Sequence, residues 1–294
     1  CLHLEKTKME KSVHHHPDKY LIISLKLNSK MRIEKKKMIP ISVVCSGMCT
    51  LYLVLGPTEK STNRLVLSVY KSSSEVPFVL NIGQCNPISL YGGSGELVAI
   101  DSDGAILYVH SKIIESPQTE LKHQFLPGNE KAVSVAFSKY HVNVLAASGR
   151  VFCASIQPNS PQLYFSQNSE LYGKEIISIS GISSACFALT KDGKVFGRGD
   201  NYYGQIGIIG ENYYHEFTEL TKLSEYKIVQ VYAGGGITFF QTSQGEVFAC
   251  GSNEYGSLCI DVKPINYRTF CSNKDKYIKS FIHRCWLLLC SRFH

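Results

Sequence analysis

Tryptophan is almost missing from this chain of 294 residues: one indole, Trp286, stands against 17 tyrosines and 14 phenylalanines. Repeat folds that anchor every unit on a Trp-Asp pair are excluded, because one tryptophan cannot serve several units. Charge is also sparse, at 19% Asp, Glu, Lys and Arg, while 44% of residues are hydrophobic. That balance excludes disorder of the whole chain and supplies a packed core. No stretch holds a helical period. The catalytic signatures are missing as well: there is no Walker loop, no G-x-S-x-G elbow and no H-E-x-x-H pair. Eleven cysteines contain no C-x-x-C spacing, the nearest pairs being Cys45/Cys49 and Cys285/Cys290. Many sit in apolar runs such as Ala185-Cys186-Phe187, where a thiol packs as a small hydrophobe. Reduced, structural cysteines in a cytoplasmic or nuclear protein are therefore expected, rather than a disulfide framework.

A net charge of +7 would suit a nucleic acid or an anionic surface, but its distribution is uneven. Residues 1–40 hold ten Lys/Arg against four acids, and the rest of the chain is close to neutral. Residues 1–38 read as a basic, disordered leader, and any nucleic acid or chromatin contact is expected through it and weak. The triple histidine His14-His15-His16 belongs to that solvated tract. Lys35-Lys36-Lys37 followed by the apolar run Met38–Leu55 imitates a signal or membrane segment, but it contains Pro40, Ser42, Ser46, Gly47 and Thr50. No membrane association is expected.

A period of 44–52 residues organises the remainder. Leu90–Val109, Val135–Ala154, Ile179–Arg198 and Val231–Cys250 superimpose on one glycine, at Gly104, Gly149, Gly193 and Gly245. An aliphatic lies fourteen residues before each (Leu90, Val135, Ile179, Val231) and another two residues after (Ile106, Val151, Val195, Val247). Each unit reads as a β-hairpin: Cys186–Leu189 leads to a turn at Lys191-Asp192-Gly193 and returns through Lys194–Gly197. Asp-Gly tolerates the positive φ of a tight hairpin turn, and Asp103-Gly104 repeats it. Asp103 and Asp192 are accounted for by those turns. Val43–Gly47 with Thr50–Val54 forms a further unit, with a widened turn at Gly56–Asn63, and Ile278–Leu289 restarts the pattern near the C-terminus. The expected fold is all-β, a β-propeller of five blades and a partial sixth over residues 39–294.

The tightest unit names a family. Ala188-Leu189-Thr190-Lys191-Asp192-Gly193-Lys194-Val195-Phe196, then Gly199-Asp200-Asn201-Tyr202-Tyr203-Gly204-Gln205-Ile206-Gly207, resembles the repeat of the regulator of chromosome condensation family. Gln244–Leu258 repeats it. Gly204 and Gly256 are expected to allow the bend after the outer strand, Asn201 and Asn253 to bond backbone within it, and Tyr203 and Tyr255 to fill between blades. The family's tryptophan is replaced by Val109, Ala154, Arg198 and Cys250, and its histidine survives only as His141. The family typically closes seven blades, so the resemblance implies a divergent member whose ring is open or whose chain is truncated.

Three functions follow. The first is a non-enzymatic interaction module that binds a protein partner through loops on one face; Ile208–Leu220, with Tyr213, Tyr214, His215 and Phe217, is the candidate contact loop. The second is implied by the resemblance: guanine-nucleotide exchange on a Ran-like small GTPase with chromatin association, achieved by a loop and requiring no catalytic acid or base. The third, a secreted propeller enzyme or lectin, is disfavoured by the cysteines. No cofactor and no metal are expected. Gly234-Gly235-Gly236 is not followed by Lys-Ser and reads as structural, as does His141. Lys263, Arg268, Lys274 and Lys276 are candidates for a basic rim.

Overall fold

The structure, a computed structural model, describes residues 85–110 and 123–258 apart from 94, 158, 159, 161 and 255, together with strands within 31–79 and at 266–272. The partial sixth unit, the turn at 56–63, Tyr255, Lys263, Lys274 and Lys276 lie outside the described residues.

Five antiparallel sheets follow one another along the chain, each a meander of neighbouring strands. The first holds β1 (Met31–Ile33), β2 (Lys36–Ser46), β3 (Cys49–Leu55), β4 (Arg64–Lys71) and β5 (Ser74–Val79). The second holds β6 (Pro87–Gly92), β7 (Glu96–Asp101), β8 (Ile106–His110) and β9 (His123–Gln124). The third holds β10 (Ala132–Ser138), β11 (His141–Ala146), β12 (Val151–Ser155) and β13 (Ser166–Gln167). The fourth holds β14 (Ile176–Ser180), β15 (Ala185–Thr190), β16 (Val195–Asp200) and β17 (Tyr213–Glu219). The fifth holds β18 (Ile228–Gly234), β19 (Ile237–Thr242), β20 (Val247–Ser252) and β21 (Asn266–Ser272). Strands β1 and β2 begin before residue 39, where the repeat pattern starts. The pairing of Met31 with Met38 uses backbone groups alone, so no motif announces it.

The second to fifth units are thus four strands each, and the first five, rather than a hairpin with one added strand. Two departures from expectation follow from the fourth. Tyr213–Glu219 is β17, paired with β16, and not a loop; Arg268 likewise lies in β21 rather than in a rim loop. These outer strands pair on one side only, so their apolar pattern is faint.

The core lies between sheets. One cluster joins Val98, Ile100 and Ile106 of the second sheet to Phe137, Val144 and Phe152 of the third. A second joins Ala136, Leu145 and Val151 to Cys186, Ala188 and Phe217, and a third joins Phe187 and Leu189 to Val231 and Phe240. Phe187 and Phe240 meet edge to face at 5.5 Å between ring centroids. Sheets stacked through apolar faces on both sides are propeller blades.

Two of the repeated glycines, Gly104 and Gly193, tie their blade to the next. Gly104, Gly149, Gly193 and Gly245 all take φ between +80° and +92°, where a Cβ is disfavoured. At Gly193 space is also limiting: a Cβ would stand 2.8 Å from Lys227 Cγ and 3.0 Å from Ile228 N. The backbone uses that closeness, since Ile228 N donates to Gly193 O (3.2 Å) and Ala132 N donates to Gly104 O (3.0 Å). The turn therefore anchors the first strand of the next blade. Three residues before the glycine a side-chain oxygen braces the turn: Thr190 Oγ1 accepts from Lys194 N and Asp101 Oδ1 from Ala105 N.

Candidate functional site

Antiparallel order puts the turns between first and second strands, and the loops between third and fourth, on one face of the blades. The braced glycine turns lie on the other. The first face is the richer in exposed aromatic and aliphatic side chains: Tyr140, Tyr164, Ile182, Tyr202, Tyr203 and Ile209.

The 201–212 loop is built around Asn201, which is 0% exposed. Its Nδ2 donates to Ile208 O (2.9 Å) and Glu211 O (3.0 Å), and its Oδ1 accepts from Ile206 N (3.0 Å). Gly204, at φ +76°, turns the chain, and Asp200 Oδ1 accepts from Tyr202 N. The loop is latched to the next blade, because Gln205 O accepts from Thr238 Oγ1 (2.7 Å) and Cys250 Sγ (3.2 Å). Tyr202 and Tyr203 are carried outward, T-shaped at 5.2 Å, with Tyr203 leaning over Gly236 of the fifth blade. Ile182 leans over Gly234 in the same way. Asn253 Oδ1 accepts from Leu258 N (3.0 Å), repeating the brace one blade on, with Gly256 at φ +70°.

Beside this loop is the seam between third and fourth blades. Tyr140 and Tyr213 pack with tilted rings, centroids 6.0 Å apart, and Tyr213 packs tilted on His215 at 4.6 Å. Beneath them Arg198 is only 8% exposed. Its Nη1 donates to Cys153 Sγ (3.0 Å), its Cζ lies 5.8 Å from the Phe217 ring, and its Nε is buried without a hydrogen-bond partner among the described residues. Among the described residues no carboxylate pairs with it within 4.0 Å. Among the described residues, His141 Nδ1 and the Tyr213 hydroxyl also have no hydrogen-bond partner and are buried. Burial, then the charge of Arg198 and then His215, lowers the His141 pKa to about 4, so the ring is neutral near pH 7. Burial raises the Cys153 thiol although Arg198 opposes it, so the sulfur that accepts from Arg198 is that of a thiol near neutral pH.

The opposite face has a shallow groove of about 480 Å³ lined by Lys174, Glu175, Lys191, Asp192, Phe196 and Glu219. Two of its lysines pair within the groove, Lys191 with Glu175 at 2.7 Å and Lys194 with Glu219 at 4.0 Å. The aromatic face is the stronger candidate.

The Regulator of chromosome condensation (RCC1) repeat matches residues 176–205 and 228–257, and again 192–241. Residues 176–257 carry regulator of chromosome condensation repeats. Among curated relatives, the probable E3 ubiquitin-protein ligase HERC4 of Rattus norvegicus is 32% identical over 139 residues, 43% of this chain. The match spans 13% of that relative's length. Among solved structures, human WBSCR16 superimposes with a TM-score of 0.62 at 16% identity, covering 81% of this chain and 66% of that one. Prp20p of Saccharomyces cerevisiae gives 0.59 at 11% identity, covering 81% and 64%. These likenesses establish the propeller.

Within the repeat, the asparagine and glycine columns stand at the loop brace and the bend. The expected contact residues divide. Tyr213 and Tyr214 are half-buried, His215 is exposed, and Phe217 is buried in the core between third and fourth blades, so Phe217 is a packing residue. Strand alternation turns it inward. The residues that sequence reasoning missed are Tyr140, Tyr202 and Ile182. Their signal was position, in the turns and loops of one face, and they become visible once the fourth strand of each blade is counted.

Proposed function

We propose that the propeller is a non-enzymatic docking module whose first face, centred on Tyr140, Ile182, Tyr202 and Tyr203, binds a protein partner. The observation that carries this is large exposed aromatics on loops that are rigidly braced. Tyr202 is 59% exposed, yet its loop is pinned by one buried asparagine that donates two hydrogen bonds and accepts a third. A braced tyrosine supplies contact area with little ordering cost on binding. Such a module acts in the cytoplasm or nucleus, and contact with nucleic acid would fall to the basic residues before 39.

Photo-crosslinking tests the face. A photoreactive phenylalanine placed at Tyr202 or Tyr140 of the full chain is expected to trap one common protein in cells, while the same group at Tyr172, 77% exposed on the opposite face, traps none of it. Equal trapping from Tyr172 would move the interface elsewhere.

Guanine-nucleotide exchange is the second reading. It is favoured by the fold shared with Prp20p, whose structure was described with its binding to Gsp1p and histones. Release of labelled GDP from a panel of Ran-like GTPases decides it: acceleration that falls with Tyr202→Ala supports exchange through this face, and no acceleration across the panel removes exchange.

A further inference from the structure

One corner of the second blade breaks the repeat in a way its turn does not require. The turn-bracing position holds Thr190 and Thr242 in the fourth and fifth blades, where a hydroxyl suffices. In the second blade the same position is Asp101, 2% exposed. Its Oδ1 does all the turn work, accepting from Asp103 N (2.9 Å) and Ala105 N (2.8 Å), and its Oδ2 is directed elsewhere. On the outer strand β9, His123 pairs with Leu107. The positions opposite the matching phenylalanines of the next two blades, Phe152 and Phe196, are Gln167 and Glu219. At the entry to β6 lies Cys85, buried at 3% exposure.

These three departures meet. Cys85 Sγ is in contact with His123 Nε2, and Asp101 Oδ2 is 3.9 Å from His123 Nδ1 on the other side of the ring. One donor atom from each residue lies within 4.8 Å of the other two. A thiol, an imidazole and a carboxylate at this spacing form the borderline-soft donor set that zinc-class ions prefer. Thiolate and carboxylate together carry the two negative charges that balance a divalent cation. The carboxylate facing the second ring nitrogen is the arrangement that orients metal-bound histidines. The backbone N–H groups of Asp103 and Ala105 fix the carboxylate in turn.

We propose that Cys85, Asp101 and His123 bind one zinc-class divalent ion. Cys85 Sγ and His123 Nε2 are direct ligands, Asp101 steadies the imidazole and balances the charge, and water completes the shell. The thiol proton leaves to solvent on binding. The site is on the second blade, and its test is independent of the aromatic face.

Cobalt(II) is the first probe, titrated into the reduced full chain. About one equivalent should give thiolate-to-cobalt charge-transfer absorption that is lost in Cys85→Ser. Asp101→Asn keeps an oxygen for the turn and should weaken binding by about 10–100-fold, as expected for an orienting partner. Because Cys85 is buried, folding of its variant is not relied on. Zinc(II) should protect Cys85 of the wild-type chain from alkylation by iodoacetamide, read by mass spectrometry. It should also raise the melting temperature of the wild type but not of His123→Gln, whose ring is partly exposed. Equal alkylation of Cys85 with and without zinc(II), or equal cobalt binding by His123→Gln, would overturn the site. Rapid alkylation that needs His123 and ignores zinc(II) would also overturn it, and would assign a thiolate–imidazolium pair instead.

Discussion

Replacing Asn201 by alanine tests whether one side chain holds the 201–212 loop. The substitution leaves Ile206 N–H without its acceptor and the carbonyls of Ile208 and Glu211 without their donor. Ile206 is fully buried, so its N–H has no route to water, and an unsatisfied buried group costs about 1–3 kcal/mol. Ile208 is half-buried and Glu211 exposed, so their carbonyls can turn partly to solvent and each adds less, about 0.5–1 kcal/mol. The sum is about 2–5 kcal/mol, which for a domain of this size lowers the melting temperature by about 4–20 °C. Asn201→Asp is the sharper variant. It keeps the acceptor for Ile206 N–H but points a second acceptor at two carbonyls, so it should destabilise at least as much as alanine near neutral pH. The difference should shrink in acid, as the protonated carboxyl regains one donor. Urea unfolding followed by far-UV circular dichroism at pH 7 and pH 4 reads both. An Asn201→Ala loss below about 0.5 kcal/mol, the size of an ordinary surface substitution, would refute the brace; so would an Asp variant more stable than the Ala variant at pH 7.

Gly251, at φ +114°, has Gly236 O directly where a Cβ would stand, so Gly251→Ala should cost about 3 kcal/mol or more in urea unfolding. Gly173→Ala, at φ +74° with nothing within 4 Å, should cost only about 1 kcal/mol, and equal losses would deny the close approach. The His141 pKa is lowered from its ordinary value of 6.5 to about 4, so between these values the unfolded chain binds the proton and the folded chain resists it. Stability should therefore fall as pH drops from about 6.5 to 4 and change no further through this group below that. His141→Gln should flatten that part of a melting-temperature profile, and an unchanged profile would remove His141 as its cause.

The glycine columns were legible in the sequence because two demands coincide on them. The turn needs positive φ, and at Gly104 and Gly193 the next blade's first strand is also close, so the residue recurs at each period. The aromatic face was only half legible. Tyr203 was placed by the repeat, but Tyr213–Glu219 was read as a loop, since β17 pairs on one side and buries only Phe217 fully. Strand alternation needs an inward partner at every second residue, and an outer strand does not have one. Cys85, Asp101 and His123 were not legible as a group. They come from just before β6, the end of β7 and β9, and only the blade's pairing order brings them together.

Arg198 shows how a broken column becomes informative. At the column where the repeat pattern carries tryptophan, this chain puts a guanidinium, between Cys153 of the third blade and Phe217 of the fourth. A buried cation without a carboxylate is destabilising unless its surroundings compensate. Here the compensation is partial: the sulfur of Cys153, the face of Phe217 and the field of Glu170. The same charge helps keep His141 neutral and lies under Tyr140, Tyr213 and His215. Local rules that are broken without full repayment mark functional ground more often than core, and this one lies beneath the exposed tyrosines. Replacing Arg198 by methionine should then leave stability unchanged or raise it, because a charge is exchanged for apolar volume. Any loss in partner binding would be read against a fold that has not weakened. If Arg198→Met instead unfolds the chain, the guanidinium is a structural group, and the seam has no separate claim to function.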